Sequence, residues 1–157
     1  MEQIQSYQRP LALFAAHEPG TGAPTVRRMS ILSSGQAGVD RAAIDVAQAL
    51  ELNVGDCEGR SRRVQETDAT LILTLGPSDG GCRLTADIAR RTGKPCLVVE
   101  LDAPDALERA RAWMDEVRPK VLNITGPRGF RQPGMYGRAY AFLSRVLRGG
   151  SYPPPRH

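Results

Sequence analysis

Histidine is nearly absent from this 157-residue chain. Only His17 and His157 occur, both close to the ends, so a zinc site built on imidazole ligands is not expected. Cysteine is scarce as well. Cys57, Cys82 and Cys96 show no paired spacing, and an odd count suits a reducing cytoplasm better than a disulfide framework. One Trp, four Tyr and three Phe offer little material for a base-stacking platform. The apolar run at residues 11–16 falls far short of the ~18 residues that a membrane span needs. With Arg9 as its one basic flanking residue, it also makes a poor signal peptide. The expectation is a cytoplasmic protein with no membrane partner. Acidic residues stop at Glu116. Residues 117–157 carry eight basic side chains and no acid, whereas the first 116 carry thirteen basic against all seventeen acidic. The net charge of +4 is therefore a local basic end and not a uniform nucleic-acid coat. Nineteen of the 21 basic residues are Arg, which fits either codon usage or anion binding.

The remainder is ordinary globular material, 41% apolar and 24% charged, and the length argues for one domain. A domain of this size buries about 68–70% of its unfolded surface and needs no disulfide or metal to hold a core. Residues 1–28 read as an N-terminal extension with a breaker-rich linker at 17–24, and residues 7–16 as a strand or helix able to dock on the core or a neighbour. Residues 149–157, with three consecutive prolines, read as a flexible tail. Between them, over 29–148, short apolar runs alternate with helical patterns. The runs are Ser30-Ile31-Leu32, residues 69–75, residues 96–101 and residues 120–124; they are continuous, as strands buried on both faces are.

A helix candidate follows each run. Val39, Ala43, Val46 and Leu50 form the first stripe, and Leu84 and Ile88 with Ala89 the second, stopped by Gly93 and Pro95. Leu107, Ala110, Met114 and Val117 form the third, with Pro104 in its first turn; Met135, Ala139, Phe142 and Val146 form the fourth. Four strand-then-helix units predict an α/β fold, a Rossmann-like three-layer sandwich with a mostly parallel central sheet.

In such sheets ligands bind beyond the carboxyl ends of the strands, where loops enter helices. That rule selects three loops. The first is Ser33-Ser34-Gly35-Gln36-Ala37-Gly38-Val39-Asp40-Arg41. Its glycines let backbone N–H groups converge, but it lacks the third glycine of a dinucleotide fingerprint and the Gly-Lys-Ser/Thr of a P-loop. Asp40 suits either the helix dipole or a ribose or pterin donor, and Arg41 either an anion or the solvent face. The second is Gly76-Pro77-Ser78-Asp79-Gly80-Gly81-Cys82-Arg83-Leu84-Thr85, whose paired glycines permit close approach of a phosphate at a helix start. Cys82 is a soft ligand or nucleophile only if a base accompanies it; Cys96 reads as packing. The third is Asn123-Ile124-Thr125-Gly126-Pro127-Arg128-Gly129, where Arg128 is the best single candidate for gripping an oxyanion, with Arg131 assisting.

These loops, in this order, resemble the molybdenum carrier protein family, a circularly permuted YpsA-like branch of the SLOG superfamily. The family pattern S-G-G-Q-T-G-V-D-R-A-A stands here as residues 33–43. D-A-T-L-I-L with a G-G-T loop stands as residues 68–73 and Gly80-Gly81-Cys82, and Gly93-Lys94-Pro95-Cys96 and Leu122-Asn123-Ile124-Thr125-Gly126-Pro127-Arg128 complete the match. The resemblance implies a cytoplasmic, homo-oligomeric carrier for the molybdenum cofactor (molybdopterin) or another phosphorylated, nucleotide-like ligand, with a molybdoenzyme or cofactor-synthesis protein as partner. Ligand-binding residues carried over are Ser34, Gly35, Gln36, Ala37, Gly38, Asp40, Arg41, Gly76, Gly80, Gly81, Cys82, Asn123, Gly126, Pro127 and Arg128; no catalytic or metal-ligating residue is assigned.

There are departures from the pattern. Ser34 replaces a glycine, Ala37 and Cys82 replace threonines, and Gly129 replaces a polar residue. Relatives carry a longer excursion after the first helix, of which only Cys57-Glu58-Gly59-Arg60 remains, so a wall of the site is expected to be cut short and the pocket more open. Two other functions compete with the carrier reading. One is a phosphoribohydrolase of the LOG type, with Asp87 near the place of its Glu and Arg83 one turn earlier, though the full P-G-G-x-G-T pattern is absent. The other is nucleic-acid binding by Arg138, Arg145 and Arg148, which fall on roughly one helical face.

Overall fold

The computed structural model describes residues 29–76, 80–128 and 132–148, so the extension and tail expected at the two ends lie outside the described residues. Five strands form one sheet in the order β2-β1-β5-β3-β4. They are β1 Ser30–Ser33, β2 Asn53–Asp56, β3 Ala69–Thr74, β4 Cys96–Glu100 and β5 Val121–Thr125. Every pairing is parallel, with Ile31 opposite Val54 and Leu122, and Leu71 opposite Ile124 and Leu97. The sheet is thus wholly parallel, where the sequence predicted a mostly parallel one. The helices among the described residues are α1 Val39–Ala49, α2 Arg60–Gln65, α3 Gly80–Arg91, α4 Ala106–Val117 and α5 Met135–Arg148.

The two faces of the sheet differ in chemistry. On one face Ile31, Leu71, Leu73, Val99, Leu122 and Ile124 meet Val39, Ala43 and Val46 of α1, Ala110 and Met114 of α4, and Ala139, Leu143 and Val146 of α5. Period-two alternation puts Ser30, Thr70, Thr74, Asn123 and Thr125 on the other face, where α3 packs on β3 and β4 and α2 packs on α3. Asn123 Nδ2 donates to Thr70 Oγ1 across β5 and β3 at 3.2 Å, but its Oδ1 and the Ser30 hydroxyl have no partner among the described residues. The first face therefore carries most of the apolar burial; the second adds Leu32 and Ile72, and its polar residues lead up to the site.

Several expectations are corrected. β2 and α2 were not read from the sequence. The strand at Cys96 is an edge strand: Val98 is exposed, Cys96 is half-buried, and only Val99 is fully packed. The thiol of Cys96 is pushed up to about 11 by burial, against a smaller opposing effect of Arg90. On α3 the buried stripe is Cys82, Thr85 and Ala89, while Leu84 is exposed, so the Leu84–Ile88 stripe does not face the core. Pro104 precedes α4, whose N-cap is Asp105. Gly93, at φ +75, does make the left-handed turn after α3. Among the described residues no helix is long and apolar enough to cross a membrane.

Candidate functional site

The chain leaves β1 and β3 towards opposite faces of the sheet, into α1 and α3, with β5 between them. The loops part there and leave a crevice beyond the carboxyl ends of the strands. A cleft of about 410 Å³ occupies it, lined by Ser34, Gln36, Asp40, Arg60, Arg63, Gly80, Gly81, Cys82, Thr85, Thr125, Gly126, Pro127 and Arg128. That volume lies in the range of small-molecule sites.

Asp40 organises the floor. It sits in the first turn of α1 and is only 5% exposed. Its Oδ2 accepts from the backbone N–H of Ser34 at 3.3 Å and from the Ser34 hydroxyl, and its Oδ1 accepts from Thr125 Oγ1 at 3.0 Å. The carboxylate thereby ties the β1 loop to the end of β5. Three of its roughly four acceptor positions are taken, and one on Oδ1 remains. Burial raises the Asp40 pKa above its ordinary value of 3.8; hydrogen bonds from Ser34 and Thr125 and the nearby Arg63 charge oppose the rise. The Ser34 hydroxyl also accepts from Gln36 N–H at 3.2 Å, which holds the loop closed over the carboxylate.

The β5 loop is pinned from both sides. An isolated antiparallel bridge pairs Arg128 with Gly38, the N-cap of α1, and Gln132 Nε2 reaches Leu75 O at 3.4 Å. Gly126 passes so close to β3 and α1 that a Cβ there would lie 2.5 Å from Leu73 O and 2.5 Å from Val39 Cγ2. Arg128 itself is exposed at the mouth and makes no ion pair among the described residues. At the other side, Gly80 and Gly81 open α3, and the first N–H groups of a helix have no partner within it. Cys82 is buried behind them at 4% exposure.

Nine of the residues expected from the sequence therefore line one cleft: Ser34, Gln36, Asp40, Gly80, Gly81, Cys82, Gly126, Pro127 and Arg128. Six do not. Gly35 and Gly76, at φ +81 and +83, shape the turns, and Gly38 caps α1 and holds Arg128. Ala37 is exposed beside the loop. Arg41 turns outward to Asp45 at 3.3 Å, an acid that also accepts from the Tyr136 hydroxyl. Asn123 is buried one pleat below the cleft, against Thr70.

Four lining residues were not among those expected to bind: Arg60 and Arg63, and Thr85 and Thr125, which lie within the second and third loops. Thr125 lies on the same face as Asn123, two residues nearer the strand end, and alternation alone singles it out. Arg60 and Arg63 come from α2, in the segment expected to be a wall cut short. That segment forms a short wall. Arg63 Nη1 donates to Cys57 O at 3.1 Å, Val64 is buried, and Lys94 Nζ donates to the carbonyls of Gln65 and Thr67 at 2.6 and 2.7 Å.

The residues invoked by the competing readings sit elsewhere. Asp87 pairs with Arg90 and is not among the residues lining the cleft. Arg138 pairs with Asp102, and Arg145 and Arg148 are exposed on α5. Arg131 lies outside the described residues. No group of three or more His, Cys, Asp or Glu side chains that could hold a metal ion occurs among the described residues.

The sequence profile of the circularly permutated YpsA SLOG family matches residues 55–147. The chain belongs to that family. The match begins within β2 and takes in the α3 and β5 sides of the cleft; the Ser33–Asp40 side lies before it. Among solved structures, the chain is similar to a crystal structure of a protein from Syntrophus aciditrophicus SB named "putative molybdenum carrier protein", with 28% identity and a TM-score of 0.70 over 76% of this chain and 95% of that one. No curated protein matches the chain. The α/β Rossmann-like architecture and the membership in the SLOG group thus agree with the sequence reading.

Proposed function

We propose that this SLOG protein is a binding or carrier protein that holds a phosphorylated small molecule in the cleft. The ligand class is a nucleotide or a phosphorylated pterin, the molybdenum cofactor among them. The observation that carries the reading is the convergence of three guanidinium groups, Arg60, Arg63 and Arg128, with the start of α3 on one cleft whose described lining residues include a single carboxylate. Guanidinium forks and free helix N–H groups are the preferred partners of phosphate oxygens. Asp40, with one acceptor position left, takes an N–H or O–H group of the ligand; Ser34, Gln36 and Thr125 fix its orientation. The fit to the molybdenum cofactor runs through its phosphate and its ring N–H groups. Cys82 adds one soft thiol at the wall.

The SLOG family match and the resemblance to the Syntrophus protein support this choice of ligand class. Homo-oligomers and a partner that receives or supplies the ligand belong to the same proposal. Native mass spectrometry of the protein as isolated tests it, alongside thermal unfolding with AMP, GMP and molybdopterin. A co-purified phosphorylated mass, or a rise in Tm with one of the three, is the expected result. The reading is overturned if the isolated chain carries no ligand and none of the three at millimolar concentration shifts its unfolding. Release of ribose 5-phosphate from AMP at enzymatic rates would instead assign the cleft to a phosphoribohydrolase.

A further inference from the structure

Arg60 occupies an uneconomical position. It opens α2, a helix with no acid in its first turn, where a cation opposes the helix dipole. The two neighbouring arginines of α2 are accounted for: Arg62 pairs with Glu66 at 3.8 Å, and Arg63 braces the carbonyl of Cys57 at 3.1 Å. Arg60 makes no ion pair or side-chain hydrogen bond among the described residues, is exposed, and lines the cleft. A side chain that breaks a local rule without a structural return is a mark of a functional position.

The charges of the cleft sharpen this. Arg63 lies close enough to Asp40 for its charge to act on the carboxyl group, so those two offset one another. Among the described residues, Arg60 and Arg128 are then the two uncompensated cations lining the cleft. A terminal phosphomonoester carries about −1.5 to −2 charges at neutral pH, whereas a phosphodiester carries one. Two free guanidinium groups match the first and leave one charge over with the second. Arg128 is fixed by its bridge to Gly38, and Arg60 is fixed by the turn at Gly59, whose φ of +95 starts α2 abruptly after β2. Both are therefore presented by braced backbone.

We propose that Arg60 is the residue that makes the cleft selective for a terminal phosphomonoester over a phosphodiester, with Arg128 gripping the phosphate common to both. This rests on the ligand-binding reading above, and the test separates the two. Titration calorimetry of the full chain compares AMP with its methyl phosphodiester, which shares base and sugar and differs by one charge. The wild type is expected to favour AMP by about tenfold or more, the range of one charge-assisted contact. In Arg60→Gln the preference falls to about twofold, through loss of AMP affinity and with the diester nearly unchanged. Arg62→Gln, on the same helix but outside the cleft lining, keeps the wild-type preference. Equal binding of monoester and diester by the wild type overturns the proposal and leaves the binding reading standing. So does a preference that survives in Arg60→Gln, or one that Arg62→Gln removes equally. Binding of neither compound overturns the proposal, and it overturns the binding reading as well when the isolated chain carries no ligand and GMP and molybdopterin leave its unfolding unchanged.

Discussion

Gly126→Ala is the substitution that most directly tests how the cleft is built. Gly126 does not have a φ in the left-handed region, so alanine is conformationally permitted there and the cost is steric. The new methyl would lie 2.5 Å from Leu73 O, 2.5 Å from Val39 Cγ2 and 2.9 Å from Val39 Cβ. Carbon–carbon contacts are comfortable near ~3.5–4.0 Å, so each neighbour must yield by about 1 Å. Neither yields readily. Leu73 belongs to β3, which is paired with both β4 and β5, and Val39 is fully buried in the first turn of α1. Overpacking of this kind costs roughly 1–3 kcal/mol and occasionally more, and a clash with strand backbone belongs at the upper end, about 3 kcal/mol. For a unit of this size that corresponds to a fall in Tm of about 10 °C. Urea and thermal unfolding followed by circular dichroism measure both quantities. Because Pro127 and Arg128 follow directly, ligand affinity should drop with stability. A Tm within ~2 °C of the wild type would refute the packing argument, since Gly126 would then not be wedged between sheet and helix.

Other consequences are as direct. Gly137→Ala, on α5 with nothing within 4 Å of the added methyl, should stabilise the chain by about 0.5 kcal/mol, and a loss in the same unfolding assay would contradict it. Asp40→Asn keeps the hydrogen bonds, since Oδ1 takes both Ser34 donors and Nδ2 donates to the Thr125 hydroxyl. The folded-state pKa of Asp40 is raised, so its protonation favours the native state and that contribution is lost as pH rises from about 3.8 through the folded value. Urea midpoints should therefore show Asp40→Asn gaining on the wild type between pH 4 and pH 8; the opposite trend would show that the carboxylate is stabilised by its site. Asp68 Oδ2 accepts from the N–H groups of Lys120 at 2.8 Å and Val121 at 3.0 Å, joining the starts of β3 and β5. Asp68→Ala should cost about 1.5–3 kcal/mol, and an unchanged urea midpoint would dismiss that clasp.

Four of the five strands were legible because each is an apolar run, and four helices because each follows such a run. The exceptions share a cause. β2 reads Asn53-Val54-Gly55-Asp56, an edge strand with one large apolar residue, and its pairing with β1 supplies what propensity does not. α2 buries only Val64 and so shows no stripe. Since α2 was invisible, the arginines it carries to the cleft, Arg60 and Arg63, were invisible too. The opposite error, at Leu84, arose because periodicity locates a stripe but not which side of it the sheet takes. Three loops were found from topology alone, because a parallel sheet gathers its strand ends in one place. Which side chains within a loop face the ligand depends on turns such as Gly35 and on the pairing of Arg128 with Gly38, which join residues that no local pattern connects.

A wholly parallel sheet has a further consequence for how such a chain can be rearranged. β1 starts at the pole of the sheet opposite the cleft, and α5, leaving β5 at the cleft, runs back towards that same pole. Met29 and Arg148 thus lie on one side of the molecule and every ligand-facing loop on the other. Cutting and rejoining the chain at the blind pole leaves the cleft loops intact, so a permuted order of elements can keep the same cleft. For the same reason a surface tether attached at the exposed Arg148 lies away from the mouth of the cleft.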